Sequence, residues 1–116
     1  MSARIHKTVL RIPCERVGVE DPWQFADEHE DLFRWEGPLP RFQVAPTVRP
    51  FIDYVLKERV SREESFGRTR GLTPAELRKY TPAFRALFPR IHMADVRLVD
   101  FCWYDGCEAP DYYEGT

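Results

Sequence analysis

The sequence predicts an α+β domain: a small antiparallel sheet, made of an N-terminal strand plus a C-terminal hairpin, packed with three to four helices. Three observations lead there. The chain has 116 residues, of which 43% are hydrophobic and 14% aromatic. That suffices for one buried core, so residues 1–116 form a single compact domain. Strand-like runs lie at the two ends of the chain, while the segments between them carry helix-start signatures. The ten prolines fall mostly where elements begin or end.

The first element is a strand over 4–12, where Ile5, Val9, Leu10 and Ile12 supply β-branched and apolar side chains and Pro13 stops the run. A helix follows over 22–35. Asp21 is its N-cap, Pro22 its first residue and Gln24 the capping-box partner. Phe25, Ala26, His29, Leu32 and Phe33 make its apolar stripe, and Gly37–Pro38 end it. Pro38, Pro40 and Pro46 mark an extended connector with a short edge strand at Arg41–Val44. Pro50 opens a second helix that runs to Gly67, with Ile52, Val55, Leu56 and Val60 at helical spacing.

Gly67–Gly71 is then a basic loop. Thr73, Pro74 and Glu76 start a short helix to Tyr80, and Thr81–Pro82 start another that ends at Phe88 before Pro89. Residues 93–104 form the longest strand. Asp105–Gly106 is the strongest hairpin-turn signal, with a short return strand closed by Pro110.

Composition excludes several classes. No apolar run approaches the ~18 residues that cross a bilayer. Arg4, Lys7 and Arg11 interrupt the N-terminus, so it lacks a signal-peptide core. A cytoplasmic protein without membrane association is expected. Three cysteines are odd in number and too few for a disulfide framework, which makes them free thiols. Net charge is −2, but residues 57–94 carry +5 and residues 95–116 carry −5. The basic middle and acidic tail either neutralise each other or form two recognition faces.

Four constellations carry chemistry that can be weighed. The run Asp27–Asp31 combines carboxylates with His29, but these residues point in several directions on a helix and no second histidine stands at ligand spacing. No metal is assigned. Cys102 and Cys107 form a C-x4-C pair, which a hairpin places as diagonal neighbours about 7–8 Å apart, beyond disulfide reach. Asp100, His92 and Cys102 are the groups an enzyme would have to use, yet no spacing supplies an activating base. No catalytic residue and no cofactor are assigned, and the chain is read as a non-enzyme.

The third constellation is the arginine-rich segment. Arg62, Arg68, Arg70, Arg78 and Lys79 would line a site for nucleic-acid phosphates or an acidic partner, with Phe66 and Tyr80 as stacking rings. The fourth is aromatic. Phe101, Trp103 and Tyr104 on the last strand, with Tyr112 and Tyr113 in the tail, have the composition of a binding hot spot. Covering both faces of a sheet strains a chain of this length, so an apolar face is free for a partner. The expectation is a non-catalytic protein–protein interaction module, with a second copy of the chain as one candidate partner. Its size and lack of motifs are those of small regulators or inhibitors encoded by phages and mobile elements. Nucleic-acid binding through residues 57–90 is the alternative, and a small enzyme without a recognisable motif the second.

Overall fold

The computed structural model describes residues 3–34, 36–45, 47–62 and 67–113. Among the described residues five strands form one sheet: β1 (Arg4–Pro13), β2 (Arg41–Ala45), β3 (Phe51–Ser61), β4 (Arg68–Gly71) and β5 (Arg97–Tyr104). Their order is β2-β3-β1-β5-β4, and every neighbouring pair is antiparallel. Among these residues two helices accompany the sheet, α1 (Pro22–Glu28) and α2 (Pro74–Leu87), with 3₁₀ turns at Cys14–Val17 and Met93–Asp95.

This corrects the expected sheet packed with three to four helices. The segment 51–61, expected as a helix, is instead the longest strand and lies against β1 along its whole length. Its apolar residues satisfy helical spacing only because both faces of the strand are covered. Phe51, Asp53 and Val55 are buried on one side, Ile52 on the other. A strand buried twice loses the polar–apolar alternation that marks a half-exposed one. The register shifts by one residue at Leu56, a β-bulge that lets Val55 and Lys57 face Val9 and Thr8. The remainder of that expected helix, 63–66, lies outside the described residues, as does Phe66.

Three further corrections follow. Arg68–Gly71 is the edge strand β4 rather than a loop, paired with β5 from Asp100 to Arg97. The two short helices expected over 73–88 are the single α2, which carries Pro82 inside it. Pro82 removes one helical N–H, but Tyr80, Phe84 and Leu87 stay on the same buried side, so packing holds the helix through the proline. The C-terminal hairpin is absent among the described residues. Gly106 turns the chain at φ 90°, and the Cys107 N–H donates to the Tyr104 carbonyl. Residues 107–113 form no strand and fold back onto the sheet.

The sheet therefore has two covers. The helices cover one face: Leu10, Ile12, Phe42, Ile52 and Val96 pack with Phe84, Leu87 and Phe88. On the opposite face, Val9, Val55, Val99 and Phe101 pack with Leu39, Trp103 and Tyr112. Tyr113 packs there against Phe51 and Ala45. No helix among the described residues is long and apolar enough to cross a membrane.

Candidate binding surface

Strand registry fixes a grid at one end of the helix-side face. Arg4 of β1 stands between Ser61 of β3 and Tyr104 of β5. In the next row His6 stands between Arg59 and Cys102, and in the third Thr8 stands between Lys57 and Asp100. Arg68 of β4 flanks Asp100 and closes that row. Residues two apart on a strand share a face and lie roughly 6.6 Å apart, while strands lie about 4.8 Å apart. Among the described residues, four cations thus share a patch with one carboxylate, Asp100, which accepts a hydrogen bond from Thr8 Oγ1 at 3.2 Å.

The patch is organised from within. The Arg4 guanidinium donates to the Tyr104 hydroxyl at 2.7 Å and to the Arg62 carbonyl at 3.0 Å, and lies over the Tyr104 ring at 4.6 Å. Lys57, Arg59, Arg62 and Arg68 are exposed, whereas His6 is buried. The helix-side apolar core stops at Leu10, Leu56 and Leu98, and the cationic rows begin one step beyond.

The five basic residues singled out in the sequence separate. Arg62 and Arg68 belong to this end of the sheet. Arg70 holds Glu76 with both terminal nitrogens, at 2.7 and 2.9 Å, and so serves the start of α2. That pairing keeps the Glu76 carboxyl ionised down to about 2, through the Arg70 hydrogen bonds first and the Thr73 N–H next. Arg78 and Lys79 are exposed on α2, with the Lys79 ammonium over the neighbouring Tyr80 ring. Arg4 and Lys57 were missed. Reading 51–61 as a strand would have aligned Lys57 and Arg59 on one face; Arg4 needs the long-range pairing of β1.

The aromatic residues also divide. Phe101 is 1% exposed and Tyr113 4% exposed, both in the core. Trp103 is half-buried and stacks on Phe101 at 5.3 Å, and Tyr112 tilts over the same ring at 6.2 Å. Tyr104 alone is broadly exposed, at 46%.

Beneath the tail lies a group that no motif announces. Arg11, 1% exposed, donates from Nε and Nη2 to both oxygens of Asp53 at 2.8 and 2.9 Å. Its Nη1 donates to the carbonyls of Tyr112, at 3.0 Å, and Pro110, at 3.4 Å. The rings of Phe51 and Phe101 lie within 4.6 and 5.0 Å of its guanidinium carbon. A cation so placed needs both the paired carboxylate and the extra acceptors to offset its lost hydration. The tail is thus held by its backbone.

The remaining candidates are dispersed. The His29 ring donates from Nδ1 to the Phe25 carbonyl at 2.8 Å and stacks on the Phe25 ring at 4.2 Å. Burial, then the charge of Asp53, pushes the Cys14 thiol up to about 11, so it stays protonated at neutral pH. Cys102 faces His6 across the β1–β5 pair, while His92 lies on the turn before β5. Among the described residues no three His, Cys, Asp or Glu side chains come together as a metal site. Comparison with protein-family models, curated proteins and solved structures finds no match.

Proposed function

We propose that the chain is a non-catalytic interaction module that receives an acidic surface of a partner protein on the cationic end of its sheet. The observation that carries this is the grid of Arg4, Lys57, Arg59 and Arg68 on one strand face with Asp100 as its one acid among the described residues. Arginine is enriched at protein interfaces, and complementary charge sets encounter rate and orientation. A protein is favoured over a polynucleotide for two reasons. The exposed ring, Tyr104, already carries the Arg4 guanidinium on one face, which leaves at most the other face for a base. The chain as a whole has a net charge of −2, which repels a long polyanion. The aromatic residues of the tail act in this reading as internal cover rather than as the contact.

The test is capture by the full chain and by a Lys57→Glu/Arg68→Glu variant, from a nuclease-treated lysate, followed by titration of the purified captured protein. The wild-type chain should bind that protein with an affinity that falls as salt rises, and the variant should lose most of it. Equal binding by both chains sinks the proposal. Capture that appears only without nuclease assigns the face to nucleic acid, with a steep dependence on log salt. Sedimentation of the purified chain at low salt shows whether a second copy is the acidic partner.

A further inference from the structure

At the other end of β1 the chain encloses an open cleft of about 480 Å³. Its walls are the turn after β1, Phe25 of α1 and the segment that ends α2. The turn is fixed by Gly18, which adopts φ 70°, and by the Val19 N–H donating to the Cys14 carbonyl at 3.0 Å. The other wall is fixed by the Ile91 N–H donating to the Phe88 carbonyl, and by the Phe88 ring stacking on Phe25 at 5.3 Å. The floor of Val19, Phe25, Phe88 and Ile91 is apolar. Among the described residues, the charged ones that line the cleft are two arginines, Arg16 and Arg90, with no acid beside them in the lining. Arg16 is held by Asp95 at 3.1 Å, and Arg90 is exposed.

We propose that this cleft binds a small amphipathic carboxylate. Its aliphatic body lies on the apolar floor, and its carboxylate meets the fork of Arg90 with Arg16 as the second cation. The volume falls in the roughly 300–1,000 Å³ range of small-molecule sites, which pair apolar walls with a few placed polar groups. A planar guanidinium matches a carboxylate through two parallel hydrogen bonds. A neutral apolar ligand would gain nothing from the arginines, and a bare anion nothing from the floor. The cleft lies beyond the opposite end of β1, five residues from the nearest row of the cationic grid at Thr8, or roughly 16 Å at 3.3 Å per residue. The inference therefore stands apart from the proposed partner surface.

Octanoate, 1-octanol and acetate, titrated into the full chain and followed by amide NMR, separate these contributions. Octanoate should shift the amides around 16–19 and 87–91 saturably, at one site per chain. 1-Octanol and acetate should bind at least about tenfold more weakly, the difference one charge-assisted contact makes. Arg90→Gln, a surface change, should lower octanoate affinity about tenfold and leave 1-octanol binding unchanged. The inference is overturned by equal binding of 1-octanol and octanoate, or by no saturable shift. Shifts centred on Lys57 and Arg59, or octanoate affinity indifferent to Arg90→Gln, overturn it equally.

Discussion

Arg11 shows how far a single residue can depart from what its type suggests. An arginine in a strand normally marks a wet face, and β1 alternates with enough charge to be read that way. In the structure it is one of the most buried side chains, because Asp53 lies opposite it on β3 and the tail supplies two carbonyls. Neither partner is visible locally, since they are 42 and about 100 residues away. Removing one member of such a pair leaves the other charge buried and uncompensated, a loss of about 3–5 kcal/mol. Arg11→Leu and Asp53→Leu should each lower stability by that order in urea unfolding. The double variant should cost clearly less than the sum, because no orphan charge remains. Additive losses would show that the two side chains act independently. Arg11→Leu should also speed amide exchange in residues 111–113, because the Pro110 and Tyr112 carbonyls lose the donor that holds the segment.

At the scale of elements, local chemistry was legible and long-range chemistry was not. The start of α2 was readable because everything it needs lies within four residues. Thr73 accepts from the Glu76 N–H, Glu76 accepts from the Thr73 N–H, and Pro74 fills the first turn. The same holds for Asp21 and Pro22 at α1. β3 was misread because its apolar spacing fits a helix, and only contact with two covers makes it a strand. The C-terminal hairpin was misread for the reverse reason: the Asp105–Gly106 turn forms, but the tail finds a better place on the sheet face. The α2 cap makes a pH prediction. The folded pKa of Glu76, about 2, lies below the roughly 4.3 of a free glutamate. The stabilisation it brings is therefore complete above about pH 4.3 and is lost as pH falls through 2. NMR titration of the Glu76 carboxyl should show a midpoint near 2. Arg70→Ala, which removes the largest cause, should move it up toward the ordinary value. A midpoint near 4 in the wild-type chain would mean the Arg70–Glu76 pair is open in solution.

At the scale of the molecule, the question is how a chain this short covers both faces of a five-stranded sheet. The short chain and the large apolar residues of its last strand suggest that one face is left for a partner, an inference that assumes only helices act as cover. The structure uses helices on one face and an irregular strap, residues 107–113, on the other. The strap has no ladder of its own: Arg11 and Thr69 hold its carbonyls, and the Tyr113 hydroxyl donates to the Asp95 carbonyl. Its fit depends on Gly67, just before β4. A methyl group added there would stand 2.3–2.5 Å from ring carbons of Tyr112, too close for any contact. Backbone conformation is no obstacle, since Gly67 is not at positive φ, so the clash is with the ring alone. Gly67→Ala should therefore displace Tyr112 from Phe101 and cost about 1–3 kcal/mol, the usual penalty for overpacking. Tyr112→Ala loses the ring contact but keeps the backbone carbonyl that Arg11 holds. In Gly67→Ala/Tyr112→Ala the added methyl meets no ring, so the second substitution should cost markedly less than it does alone. A double-mutant cycle by urea unfolding measures that coupling. A coupling energy near zero would mean that the strap does not lie over Gly67, and that the second face of the sheet is open after all.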